Sequence, residues 1–289
     1  MWFELSVVET LVGAAPSWLI VALIVFSFLG SSFLLTPIAA VLMVVKPTER
    51  VLTWVAILFG AYVVRSLAKT TNNVSRPSVS AEVPMLPMPE FLIPYYLHPV
   101  TLESGSFPSG HMVAAVAFWG IVAIDVRAGS RQSKALASGA VVMIVGASRV
   151  LLGAHWIEDV IVGGVVGLVF LGVMYLIRER ADRPLLAVFG AVVGLSGLSL
   201  AIEPSATVFI VFSVTVFLSL VVLKDGRHHS IWSVPSVRRN AMYEAGAVGV
   251  FLLAILIASG STSMLLLAAM AGIAVVGWHD VGGPRYLGK

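Results

Sequence analysis

Residues 160–177, VIVGGVVGLVFLGVMYLI, run for 18 positions without a charged side chain. About 20 mostly apolar residues cross a bilayer as a helix, and inside lipid a helix satisfies its own backbone hydrogen bonds. Such a run fixes the solvent of the chain, and similar runs fill most of it. The expected spans are residues 17–45, 51–68, 112–127, 135–152, 157–177, 184–202, 205–223, 241–259 and 262–278. Composition agrees, with 58% of the 289 residues hydrophobic and 11% charged, against about 25% charged in soluble proteins. The expected fold is therefore all-α, a polytopic transmembrane helical bundle of about nine spans. The first run is long, with Gly30 and Pro37 as candidate kinks. One tilted span is expected there, because half of it reaches only about 21 Å. The residues before it read as a short amphipathic lead-in. Gly163 and Gly167 form a small-xxx-small pair suited to close helix packing.

The 18 Lys and Arg residues set the expected direction of insertion. Cytoplasmic loops are enriched in basic residues. Followed through nine crossings, 14 of the 18 fall on one side: Lys46, Arg50, Arg127, Arg131, Lys134, Arg178, Arg180, Arg183, Lys224, Arg227, Arg238, Arg239, Arg285 and Lys289. That side is expected to be cytoplasmic, with the N-terminus outside and the C-terminus inside. The net charge of +3 reflects this topology signal rather than nucleic-acid binding. Arg65, Lys69, Arg76 and Arg149 remain, and all four fall at the opposite face.

Those cations lie in or beside three short polar stretches: KTTNNVSRP at 69–77, FPSGH at 107–111, and SRVLLGAHWIEDV at 148–160. Ionisable groups at membrane depth are costly and persist mostly for function. Lys69, Arg76 and Arg149 would converge as positive charge suited to phosphate oxygens. Ser109 and Gly110 precede a helix, where free N–H groups favour an anion. His155 and Asp159 are four apart and face the same way on a helix. A carboxylate on one ring nitrogen leaves the other free as a nucleophile. His111 is a second imidazole, suited to protonating a leaving oxygen. Glu158 reads as an acid placed in a helix's first turn; Arg65, four residues before Lys69, either extends the cradle or snorkels to the interface, and snorkelling is favoured. The chain has no cysteine, so thiolate sites and disulfides are excluded. Neither a metal nor a cofactor is expected.

The loop SVSAEVPMLPMPEFLIPYYLHPVTLESGSF, residues 78–107, has five prolines, several apolar and aromatic side chains and no Lys or Arg. It suits an interfacial lid beside a lipid chain, and equally an ordinary loop packed on the bundle. His98 within it reads as a surface histidine.

In these stretches the sequence resembles the type 2 phosphatidic acid phosphatase family, which carries Lys-x6-Arg-Pro, then Pro-Ser-Gly-His, then Ser-Arg-x5-His-x3-Asp. Here they stand as Lys69, Arg76 and Pro77; Pro108, Ser109, Gly110 and His111; and Ser148, Arg149, His155 and Asp159. The resemblance covers about residues 17–180 and implies a catalytic core over 1–180, followed by additional helices over 181–289. It implies a metal-independent phosphatase of lipid phosphates or diphosphates that works through a phosphohistidine, and the distribution of basic residues places its expected site at the outer face of the cell membrane, with membrane lipids as its surroundings. His155 would attack phosphorus, Asp159 would orient it and His111 would protonate the leaving group. Lys69, Arg76, Ser109, Gly110 and Arg149 would hold the phosphate. The nine-span plan is similar to that of glucose-6-phosphatase, so a sugar-phosphate phosphatase is an alternative. A lipid phosphotransferase is another, and a non-catalytic lipid transporter fits least.

Overall fold

In the computed structural model, residues 5–45, 48–70, 74–101 and 105–202 are described, with positions 208, 211 and 215. Among them there is no strand. Nine helices follow in order: α1 (Leu5–Gly13), α2 (Ser17–Ser27), α3 (Ser32–Val45), α4 (Glu49–Thr70), α5 (Ile93–Leu97), α6 (Gly110–Asp125), α7 (Arg131–Leu151), α8 (Ile157–Arg180) and α9 (Pro184–Ile202). Four of these, α4, α7, α8 and α9, are long and apolar enough to cross a membrane. The bent α2–α3 pair would make a fifth span. The chain is a multi-pass membrane protein. The expected spans at 205–223, 241–259 and 262–278 lie largely or wholly outside the described residues.

The first span is not one tilted helix. A 3-10 turn, Phe28–Gly30, follows α2, and the axis bends by 46° before α3 resumes. The break falls at Gly30 and Ser31 rather than at Pro37, which sits inside α3. Gly30 lies against the backbone of α6, where a Cβ would stand 2.7 Å from the His111 carbonyl. The opened backbone is repaired locally. Trp119 Nε1 donates to the Leu29 carbonyl at 2.8 Å, and Ser31 Oγ accepts from the Phe33 N–H at 3.3 Å. A side chain that re-satisfies a freed carbonyl makes such a break tolerable in lipid.

The main core is built from α3, α4, α6, α8 and α9, with Ile57, Leu58, Phe118 and Phe189 fully buried. Helix α6 lies between α4, α7 and α8. Gly167 faces it so closely that a Cβ would meet Val116 Cβ at 2.9 Å, and one at Gly163 would meet the Ser109 carbonyl at 2.6 Å. The two glycines are thus a close-packing pair, as their spacing predicts. Helix α7 is buried only toward its C-terminal end, at Val145, Gly146, Ser148, Arg149 and Val150. A second, smaller apolar cluster joins α1 and α2 to the loop through Ala81, Tyr96, Leu152 and Trp156. This cluster roofs one end of the bundle.

Candidate active site

At that roofed end, α4 and α7 finish and α6 and α8 begin, so each of the three polar stretches reaches it from a helix terminus. Lys69 sits in the last turn of α4 and Arg149 in the last turn of α7. The chain then reverses through Gly153, whose φ of +68° is a left-handed conformation that favours glycine. A Cβ there would collide with the Val79 carbonyl, so the loop also needs this position bare. His155 follows, and Trp156 is the N-cap of α8.

Asp159 does two things from one oxygen. Its Oδ2 accepts the Trp156 N–H at 2.9 Å and lies 3.3 Å from His155 Nδ1. It therefore caps the helix and orients the imidazole at once. The other ring nitrogen, Nε2, stands 3.4 Å from Arg76 Nη1. A guanidinium only donates, so this contact needs the lone pair on Nε2 and places the proton on Nδ1, facing the carboxylate. Arg76 also donates to the carbonyls of Ala154 at 2.5 Å and Gly105 at 3.2 Å. Lys69 Nζ donates to the same Gly105 carbonyl at 2.7 Å, which ties the first cation pair together. The Ser109 N–H donates to the Asp159 carbonyl at 2.9 Å, coupling the second stretch to the third. All eight residues singled out in the sequence thus gather at one end of the bundle.

The site is not open to water as a cationic face would be. Arg149 is fully buried and His155 and Asp159 are each 1% exposed. The roof is residues 74–101 and 105–109. Arg149 Nη2 donates to the Pro99 carbonyl at 2.8 Å, and Trp156 Nε1 to the Ser75 carbonyl at 2.9 Å. His98 belongs to this roof rather than to the surface. Its ring packs edge-on against Phe33 at 4.7 Å, and its Nδ1 is buried without a partner. Burial, followed by the charges of Arg149, Arg65 and Arg76, pulls its pKa down to about 4. His155 is held well below the ordinary imidazole range, first by burial and then by Arg149, Arg76 and Lys69. It is a neutral base at neutral pH.

Four more buried polar atoms have no hydrogen-bond partner among the described residues: Ser109 Oγ, His111 Nε2, and Arg149 Nε and Nη1. Leaving a buried donor unpaired costs about 1–3 kcal/mol each. All of these atoms can donate, and they cluster beside the His155–Asp159 pair. The arrangement suits an anion with several oxygens.

Sequence reasoning missed three contributors. Ser106 is fully buried, its hydroxyl donates to the Ser75 carbonyl at 3.1 Å, and it lies close enough to Asp159 and His155 to act on the charge of both. Its position two residues before Pro108 was the available signal. The carbonyls of Pro99 and Gly105 have no side-chain signature at all. Arg65 is not among these three, since the sequence already offers it as an extension of the cradle, and it does not reach away to the interface. Its stem lies over Gly110, where a Cβ would meet its Cγ at 2.7 Å.

The family model of the PAP2 superfamily matches residues 50–183, which hold every residue of this site. Among solved structures, the chain is similar to the crystal structure of Aquifex aeolicus LpxE, with 25% identity over 60% of this chain and 95% of that one, at a TM-score of 0.43. No curated protein matches the chain.

Proposed function

We propose that the protein is an integral membrane phosphatase that hydrolyses lipid phosphate or diphosphate monoesters at the extracytoplasmic face, through a phosphohistidine. The observation that carries this reading is the set of unpartnered buried donors on Ser109, His111 and Arg149, placed beside a neutral histidine already oriented by a carboxylate. His155 Nε2 attacks phosphorus, and Asp159 stabilises the positive ring that results. Ser109, the start of α6 at Gly110, Lys69, Arg76 and Arg149 hold the phosphoryl oxygens. A bound phosphate's negative charge favours the protonated ring of His111, which then gives its proton to the leaving oxygen and takes one back from the attacking water. Phosphoryl transfer asks mainly for such positioning and charge stabilisation. The cations supply the charge without a metal, so turnover is expected to persist in EDTA; its loss, with recovery on added magnesium, would refute this part.

A lipid is favoured over a sugar phosphate by the roof. Met85, Leu86, Phe91 and Leu92 are exposed there, and such a patch belongs against acyl or prenyl chains. The deciding experiment is rapid-quench labelling with a phosphorus-32 lipid phosphate. Wild type should trap an acid-labile, base-stable adduct, and His155→Ala should trap none and lose turnover. Near-normal turnover in His155→Ala, or an adduct on His111, would overturn the assignment.

A further inference from the structure

We propose that Arg65 forms a second anion subsite beside His111, which holds the leaving phosphate when the substrate is a lipid diphosphate. The inference rests on the phosphatase reading above and concerns the side of the site that reading leaves unassigned. Arg65 lies on α4 one turn before Lys69, about 6 Å further from the helix end. Its Cγ, Cδ and Nε crowd the space that a side chain at Gly110 would fill, between Ser109 and His111. Among the described residues its guanidinium has neither a hydrogen-bond nor a salt-bridge partner. The four cations are also divided between the two histidines. The charges acting on His155 are those of Arg149, Arg76 and Lys69. The cationic side chains acting on His111 are Arg149 and Arg65. Arg149 is shared, Lys69 and Arg76 act on the nucleophile, and Arg65, which also acts on Lys69 and Arg76, is the further cation that bears on His111.

That division matters because the two substrate classes ask different things of the leaving-group side. A monoester releases an alkoxide, which chiefly needs a proton from His111. A second cation there does nothing specific for it. A diphosphate releases a phosphate, which carries charge on several oxygens and gains most from a fixed positive fork. In the step, His155 Nε2 bonds to the terminal phosphorus and the bond from that phosphorus to the bridging oxygen breaks. Its electron pair leaves with the lipid monophosphate, whose bridging oxygen takes the proton of His111 and whose other oxygens face Arg65. Water then attacks the phosphohistidine, the P–N bond breaks, orthophosphate departs and His111 recovers its proton. The net reaction is lipid diphosphate plus water giving lipid monophosphate plus orthophosphate.

The test compares a prenyl diphosphate with the monophosphate of the same chain, using the purified full-length protein in detergent with EDTA. Wild type should favour the diphosphate in kcat/KM. Arg65→Gln should lower that preference by about 10- to 100-fold, the worth of one charged hydrogen bond. Arg65→Lys, which keeps a point charge, should retain more of the preference than Arg65→Gln. Equal losses on both substrates would make Arg65 a general phosphate or structural residue and overturn the proposal, as would no loss on either. If Arg65→Gln does not fold, the wild-type preference decides, and a wild type that favours the monophosphate sinks the subsite. A wild type that turns over neither substrate refutes the phosphatase reading instead.

Discussion

His155 is kept neutral by the same surroundings that make it useful. Burial and three neighbouring cations disfavour the imidazolium, so its pKa lies well below 6.5 in the resting site. In the proposed mechanism the neutral ring is the nucleophile, so activity present at pH 7 should persist as pH falls through 6.5 and fail only below it. The acid limb of kcat/KM against pH reports this for the free enzyme. A limb centred at or above 6.5 would contradict the burial argument. Arg76 is one of the cations responsible and stands 3.4 Å from Nε2. Arg76→Gln should therefore raise the limb toward 6.5 as well as weaken phosphate binding, and a limb left in place would show that burial and the other cations set it without Arg76. At Gly153 the demand is conformational. An alanine forced into the left-handed region costs about 1–2 kcal/mol before any clash. The Val79 carbonyl adds one, so Gly153→Ala should unfold at a lower temperature in a detergent melt.

Four helix termini, rather than one loop, build the candidate site, so helix packing sets its geometry at a distance. Helices α6 and α8 approach through Gly163 and Gly167, and the Ser109–Asp159 hydrogen bond lies at the end of that seam. A methyl at Gly163 would press on the Ser109 carbonyl, whereas one at Gly172 on the same helix meets nothing within 4 Å. Gly163→Ala is expected to cut kcat/KM by at least about 10-fold, the scale at which small misplacements of catalytic groups are felt. Gly172→Ala should keep wild-type turnover. Equal activity in the two variants would mean that the seam does not position the site. The sequence made much of this legible. The apolar runs predict α4 and α6–α9 to within a few residues, because lipid leaves the helix few alternatives. The eight site residues were legible because their side chains carry charge or a special backbone. The break at Gly30 was not, because its cause is a contact with His111 more than 80 residues away. The roof was only half legible. Its five prolines exclude a long helix, but its grip on Arg149 runs through a main-chain carbonyl that every residue type possesses.

The two ends of the bundle use charge differently, and the difference bears on how the chain sits in its membrane. At the end away from His155, Asp125 is buried and Arg178 donates to both of its oxygens, at 2.6 and 2.9 Å. Trp54 Nε1 adds a bond at 2.6 Å, so α4, α6 and α8 are pinned together there. Arg178 is thus committed to a structural pair, and the topology signal has to stand without it. Among the described residues it does, since Arg50, Arg127, Arg131, Lys134, Arg180 and Arg183 remain at that end, against four cations that lie in or beside the candidate site. The positive-inside bias then supports the proposal that the end bearing His155 faces outside. The chain has no cysteine, so a single introduced thiol reads out sidedness without background. Thr101 is exposed on the roof and Gln132 is exposed in the first turn of α7 at the opposite end. In intact cells, Thr101→Cys should react with a membrane-impermeant maleimide and Gln132→Cys should react only after the membrane is opened. The reverse pattern would put His155 at the cytoplasmic leaflet, leave the fold and chemistry intact, and move the substrate to the inner pool of lipid phosphates.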